Sequence, residues 1–166
     1  MKNIILILLF LSSSLLALDG INKTYYKSGG LKSELLYKNG KLNGVSKSYY
    51  KLGPLKSATP HRDGKVNGIS KAYHKSGGLK FKARYKNDEL NGVSRVYYKS
   101  GELKFEAKYK NDKLDGIEKT YYKSGKLQEQ ILFENDVAIE GDRYFKDGSK
   151  RKMTKAHFLE IGYKVK

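Results

Sequence analysis

Residues 92–115 read GVSRVYYKSGELKFEAKYKNDKLD, and nearly all of the chain after residue 20 is a variation of this stretch. The period is 24 residues, and glycine opens each copy. Five full copies start at Gly20, Gly44, Gly68, Gly92 and Gly116, and a partial copy starts at Gly141 after one inserted residue. A fixed period of this length is typical of stacked supersecondary units. The sequence therefore predicts a repeat array.

Two strands are predicted within each copy. In residues 103–110, apolar and charged side chains alternate with the period of two that a half-buried strand requires. Residues 93–99 are rich in β-branched and aromatic side chains. Lys-Ser-Gly at 99–101 and Asn-Asp at 111–112 supply the turns. We expect an all-β fold, an extended antiparallel meander of tandem β-hairpins that forms one twisted, curled sheet.

The length of the loop at 99–101 decides which side chains share a face. A three-residue loop with Gly101 in the left-handed conformation, a type I turn with a glycine bulge, places Tyr97 opposite Leu103. Tyr97 and Val93 would then lie on the apolar face, and Arg95 would lie toward that inner face with its stem packed. A two-residue loop would reverse the faces.

The three-residue loop leaves the second aromatic residue of each copy in a row on the outer face. We predict this row, with nearby lysines, as an interaction surface. Its members are Tyr26, Tyr50, His74, Tyr98, Tyr122, Phe145, Lys80, Lys104 and Lys108. Equivalent residues of successive copies would repeat about every 9 to 10 Å, because two strands separate them.

Three segments are predicted along the chain. Residues 1–17 resemble a secretory signal peptide, with Lys2, an apolar run and a small residue, Ala17, at the expected cleavage point. Residues 18–148 form the repeat array, and residues 149–166 form a C-terminal cap of undetermined secondary structure. The predicted location is therefore outside the cytoplasm, periplasmic or extracellular.

The second copy departs from the pattern. Pro54 and Pro60 are the only prolines of the chain, and polar residues such as Ser57 and Thr59 replace the apolar set. The copy is either a weakened repeat that its neighbours support or a kink that shapes a binding surface.

Catalytic signals are lacking in the sequence. There are no cysteines, and the three histidines, His61, His74 and His157, form no ligand cluster. Serine recurs in the turns, whereas a nucleophile is expected once beside a base. We predict no enzyme activity, no metal and no cofactor.

The motif G-x-x-K-x-Y-Y-K-S-G-x-L, followed by Y-K-N-G or Y-K-N-D and K-L-N-G, resembles the bacterial variant of the MORN repeat. It is similar to arrays in YwqK-type antitoxins of toxin-antitoxin systems. The resemblance implies a non-catalytic β-hairpin array that engages a protein partner.

Three kinds of partner follow from these features. The repeats and the resemblance favour an unidentified protein. The formal charge of +17 and the lysine and tyrosine ladders offer the alternative of an anionic envelope polymer or lipid head groups. Single-stranded nucleic acid is the poorest of the three, because export separates the chain from it.

Overall fold

The computed structural model describes residues 19–166, so the predicted signal peptide at 1–17 lies outside the described residues. The described chain is one open sheet whose strands follow chain order and pair antiparallel, apart from a short parallel pair at the C-terminus. This confirms the predicted all-β meander. No helix of the described residues is long and apolar enough to cross a membrane.

Between residues 19 and 166, fifteen strands and one short helix make up the sheet and its C-terminal end. The strands are β1 Gly20–Tyr25, β2 Leu31–Lys38, β3 Lys41–Leu42, β4 Gly44–Tyr49, β5 Leu55–Arg62, β6 Lys65–Val66, β7 Gly68–Tyr73, β8 Leu79–Lys86, β9 Glu89–Tyr97, β10 Leu103–Lys110, β11 Lys113–Tyr121, β12 Leu127–Glu134, β13 Val137–Tyr144, β14 Lys150–Lys152 and β15 Lys164–Val165. The helix, α1, is Lys155–Glu160.

The turn between β9 and β10 has the predicted three-residue loop. The Gly101 N–H donates to the Tyr98 carbonyl over 3.1 Å, and the Tyr98 N–H donates to the Glu102 carbonyl over 2.9 Å. Gly101 has a φ of 104°, as the glycine bulge requires. Leu103 accordingly pairs with Tyr97, which confirms the predicted contact.

The predicted faces of β9 are nevertheless wrong. The register shifts between Leu103 and Phe105, so Phe105 pairs with Val96 and the outgoing strand carries one extra residue. Because side chains alternate with a period of two, one extra residue exchanges the faces. Four other hairpins of the array carry the same shift.

The exchange corrects the positions of Val93 and Arg95. Val93 pairs with Lys108 and is 36% exposed, whereas Ser94 pairs with Ala107 and is 5% exposed. Arg95 lies opposite Glu106 on the charged face and forms an ion pair with it. The inner face of β9 therefore carries Ser94 and Val96, not Val93 and Tyr97.

The opening glycine of each of the five full copies occupies a backbone conformation that other residues rarely adopt. Gly92 has a φ of 125°, and a Cβ built there would lie 2.8 Å from Cδ of Arg84. Ala83 of β8 pairs with Ser94 of β9, and Tyr85 pairs with Leu90. Between these two pairs, β9 has three residues where β8 has one. Glycine permits the resulting bulge and the close approach of the neighbouring side chain.

The apolar core lies at the C-terminal end of the sheet. Ile131, Phe133, Ala138 and Phe158 form a buried cluster, which Tyr163 joins through an edge-on ring contact with Phe133 at 5.0 Å. The predicted cap region at 149–166 contains both kinds of secondary structure, namely β14, α1 and β15. Phe158 on α1 connects this region to the core.

Hydroxyl pairs replace apolar contacts in the N-terminal half. Ser48 and Ser57 lie 2.6 Å apart, and Thr59 and Ser70 lie 2.9 Å apart. The second copy still forms its hairpin, with Pro60 opposite Val45. The second copy therefore keeps the hairpin of the repeat with a more polar interior, and the choice between the two interpretations stays a prediction.

Candidate interaction surface

The meander has two long rims, because successive turns alternate between the two ends of the strands. We define the lysine rim as residues 26–32, 50–56, 74–80, 98–104, 122–128 and 145–151. The asparagine rim is residues 37–43, 61–67, 85–91, 109–115 and 133–139. Along each rim, successive segments come from successive copies of the repeat.

Charge is divided unequally between the two rims. The lysine rim carries thirteen lysines and arginines against two acidic residues, Glu102 and Asp147. The asparagine rim carries seven basic and seven acidic residues. Much of the formal charge of +17 therefore lies along one rim of the sheet. A row of like charge of this kind raises the local concentration of anionic partners.

Acidic side chains on the asparagine rim are engaged by the neighbouring copy. The Leu90 N–H donates to Oδ1 of Asp112 over 2.7 Å, and the Asp112 N–H donates to the Leu90 carbonyl over 3.0 Å. Nδ2 of Asn91 donates to Oδ1 of Asn111 over 2.8 Å. Polar groups on this rim thus fasten one repeat to the next.

Tyrosines on the lysine rim also fasten the repeats. The hydroxyl of Tyr98 donates to the backbone carbonyl of Tyr121 over 2.7 Å, and that of Tyr50 donates to the carbonyl of Tyr73 over 2.8 Å. Tyr26 and Tyr122 make the equivalent bond at 2.7 and 3.0 Å. These four members of the predicted aromatic row are half-buried, and their hydroxyls are engaged within the sheet.

The other two members of the row lack a hydroxyl. His74 is half-buried at the same repeat position, and its Nε2 is buried without a hydrogen-bond partner among the described residues. Phe145 ends the row, and the guanidinium of Arg151 lies 5.6 Å from the centre of its ring. Sequence reasoning placed all six aromatics at equivalent positions but missed the bond that four of them make.

Lysine ammonium groups lie over the rings of the row. Nζ of Lys104 is 5.7 Å from the centre of the Tyr98 ring, and Nζ of Lys146 is 5.9 Å from that of Tyr122. Such cation–π contacts orient a lysine while its charge stays accessible. A shallow groove of about 520 Å³ lies between Tyr98 and Tyr122 and is lined also by Lys123.

The three predicted surface lysines do not lie together. Lys80 and Lys104 are exposed on the lysine rim, beside His74 and Tyr98 in their respective copies. Lys108 is exposed near the other end of β10, where its stem approaches Gly116. The structure therefore brings Lys104 to Tyr98, whereas Lys108 lies near the end of β10 that leads into the asparagine rim.

A buried carboxyl group, Glu118, escaped the sequence reasoning. It is 3% exposed on the inner face, and the hydroxyl of Tyr163 donates to its Oε1 over 2.7 Å. Burial raises the pKa of Glu118, the Tyr163 hydrogen bond lowers it, and nearby Glu129 raises it further. The available signal was that glutamate stands where Ser46, Ser70 and Ser94 stand in other copies. This pair links the C-terminal segment to the array.

Metal-ligating side chains are dispersed in the part of the chain that the structure describes. No group of three or more histidine, aspartate or glutamate residues in 19–166 is placed to hold a metal ion. His61 contacts Ser46, whereas His157 lies beside Arg143.

The fold and this surface define a class of protein, the tandem β-hairpin repeat protein, here with one basic rim. The family described as "MORN repeat variant" matches residues 18–39, 66–87, 90–111 and 114–135, which together are more than half of the chain. The chain belongs to this MORN repeat family. The second copy is not among the matched segments, in agreement with its polar interior. The finer resemblance to YwqK-type antitoxins stays a prediction.

Comparison with curated proteins finds no match. Among solved structures, a chain of the GtfA/B complex bound to UDP and GlcNAc is similar over 86% of this chain, with 10% sequence identity and a TM-score of 0.31. The chain spans 30% of the length of that structure.

Proposed function

We propose that this MORN repeat chain is a non-catalytic scaffold that binds a protein partner along the lysine rim. Repeats of this family are common in binding and scaffold proteins. The single observation that carries the proposal is the segregation of charge, thirteen basic against two acidic residues on one rim and seven against seven on the other. The partner would present an acidic surface to the rim.

The geometry of the rim suits a partner that spans several copies. Lys75, Lys99 and Lys123 are exposed at equivalent turn positions, about 9 to 10 Å apart along the array. Each single contact between exposed charges contributes little, about 0.2 to 1 kcal/mol. A specific complex would therefore need several lysines at once, and the tyrosine bonds between copies would hold these lysines in register.

The location and the biological class of the partner belong to the same proposal. Residues 1–17 would direct export and be removed, so that the mature scaffold acts in the periplasm or outside the cell. The antitoxin resemblance suggests a toxin as one class of partner, and such a toxin would have to meet the scaffold after export. Mass spectrometry of the N-terminus after cell fractionation tests the location. An intact Met1 in the cytosolic fraction would contradict export.

Binding of a protein partner along the lysine rim can be tested by capturing proteins from an envelope extract with the full chain and with two matched variants. One variant carries Lys75→Gln, Lys99→Gln and Lys123→Gln on the lysine rim. The control carries Lys86→Gln, Lys110→Gln and Lys113→Gln on the asparagine rim. All six lysines are exposed, and each variant loses three charges. We expect the same partner with the full chain and the control but not with the lysine-rim variant. Equal recovery by both variants would contradict the proposal.

An anionic envelope polymer or lipid head group is the second candidate. The groove between Tyr98 and Tyr122 favours it, because Lys123 and Lys146 line the groove without an acidic neighbour in its wall. Binding of this kind weakens steeply as salt screens the charges. Vesicles with and without an anionic phospholipid, and a soluble anionic polymer, can be titrated at low and high salt. Affinity that does not change with salt would exclude this candidate.

A further inference from the structure

A basic pocket lies where the lysine rim meets the C-terminal segment. The end of β13, β14 and α1 enclose a pocket of about 210 Å³, whose walls include Arg143, Arg151, Lys152 and His157. Arginine and histidine side chains thus converge from three elements of the fold. The pocket is open to solvent and large enough for one small anionic group.

Two arginines from adjacent strands line this pocket. Arg143 on β13 pairs directly with Arg151 on β14. Like charges directly opposite in an antiparallel pair destabilise a sheet. Arg143 is compensated by Glu129, whose Oε1 lies 2.6 Å from Nη2. Arg151 makes no ion pair among the described residues and lies over the ring of Phe145.

Contacts behind the pocket hold Arg143 in place. Its Nε and Nη2 donate to Oε1 of Glu129 over 2.8 and 2.6 Å, and Nη2 also lies 2.6 Å from Nε2 of His157. Since an arginine nitrogen can only donate, Nε2 of His157 accepts this bond and carries no proton. These contacts orient the guanidinium of Arg143. Its Nη1 makes no hydrogen bond with the described residues, so this nitrogen can donate to a ligand.

From this arrangement we propose that the pocket binds a single oxyanion group, phosphate or sulfate, between Arg143 and Arg151. The planar guanidinium fork of Arg151 matches two oxygens of such a group, and Nη1 of Arg143 would supply one further donor. The ligand would offset the charge of Arg151, because Glu129 already compensates Arg143. The hydroxyl of Thr154, which lines the pocket, would donate to a further oxygen. Arg151 is also the last residue of the lysine rim, but this inference does not rest on the proposed function, because the pocket needs no partner that spans the repeats.

Calorimetric titration of the full chain with inorganic phosphate tests the pocket. Arg151→Gln is the variant, because Arg151 is exposed and makes no ion pair with any residue that the structure describes. Arg84→Gln is the matched control, an exposed arginine on β8 with the same loss of charge. We expect about a tenfold loss of phosphate affinity for Arg151→Gln, as for loss of a charge-assisted hydrogen bond, and less than about twofold for Arg84→Gln.

A second arm with glycerol 2-phosphate identifies the source of the phosphate group. Tighter binding of the ester than of inorganic phosphate would assign the pocket to a phosphorylated molecule, and the reverse order to the free ion. Both results uphold the pocket, provided that Arg151→Gln weakens the binding. Absence of phosphate binding to the full chain, or equal weakening by Arg84→Gln, would overturn the inference.

Discussion

The hydroxyl of Tyr98 donates a 2.7 Å hydrogen bond to the backbone carbonyl of Tyr121, 23 residues further along the chain. This bond joins the turn of one hairpin to the end of the strand in the next copy. It recurs from Tyr26, Tyr50 and Tyr122. The second tyrosine of the repeat is therefore a fastener between copies, so replacing it with alanine would disturb the array as well as any binding surface.

Tyr98→Phe should destabilise the array by removing this bond alone. The net loss for one hydrogen bond is about 1 kcal/mol, which corresponds to a decrease of about 2 to 4 °C in Tm for a chain of this size. Tyr25→Phe is the control, because Tyr25 is 59% exposed and its hydroxyl makes no bond among the described residues. Thermal unfolding followed by circular dichroism measures both. Equal losses for the two variants would refute the role assigned to the Tyr98 bond.

His74→Tyr should stabilise the array. Nε2 of His74 is buried without a hydrogen-bond partner in residues 19–166, whereas tyrosine at the equivalent position of four copies donates to the following copy. A hydroxyl at residue 74 would reach the carbonyl of Tyr97 by the same geometry, a gain of about 1 kcal/mol. His61→Tyr also restores the common repeat residue but loses the 3.2 Å contact with Ser46. We expect chemical denaturation to show a gain for residue 74 and none for residue 61.

Gly92→Ala should lower the free energy of unfolding for two reasons, the backbone conformation at residue 92 and a close contact of the new Cβ. Gly92 has a φ of 125°, and the new Cβ would lie 2.8 Å from Cδ of Arg84. Strain at such a position costs about 1 to 3 kcal/mol. Gly78→Ala is the control, since a Cβ there meets no atom within 4 Å and φ is not positive. A free energy of unfolding lowered equally by both changes would argue against the bulge as the reason for the opening glycine.

Glu118 should make stability fall as pH rises. Burial raises its pKa above the ordinary 4.5, so the folded state holds this proton more firmly than the unfolded state. The resulting stabilisation is full below about pH 4.5 and is lost as pH rises toward the folded pKa. Glu118→Gln removes the titration, and its side-chain oxygen can still accept the Tyr163 bond. Tm of the variant minus Tm of the full chain should increase between about pH 4 and about pH 7. A difference that stays constant or decreases would contradict this account.

Local patterns were sufficient to predict the hairpins and their turns. The glycine at residue 101 and the alternation from Leu103 onward predicted the loop, the strand and the pairing of Leu103 with Tyr97. Residues close together in the sequence determine these features, so neighbouring copies have little influence on them.

Features that depend on contacts between copies could not be predicted in the same way. The register shift between Leu103 and Phe105 has no residue signature in the outgoing strand, yet it exchanges Val93 for Ser94 on the inner face. The Tyr98 bond requires knowledge of where the next copy ends. The contact between Glu118 and Tyr163 joins residues 45 positions apart. The unequal charge of the two rims becomes visible only when alternate turns are grouped by the end of the sheet on which they lie. The predicted meander already implied this grouping.

Binding of poly-L-glutamate, as a substitute for an acidic protein surface, tests the central claim that the lysine rim carries the interaction. The full chain, the lysine-rim variant and the asparagine-rim variant are compared by fluorescence anisotropy over a range of salt concentrations. We expect affinity that decreases with salt, a loss of about tenfold or more for Lys75→Gln, Lys99→Gln and Lys123→Gln, and a clearly smaller loss for Lys86→Gln, Lys110→Gln and Lys113→Gln. Equal losses for the two variants at every salt concentration would show that net charge alone drives the binding, and would contradict the claim.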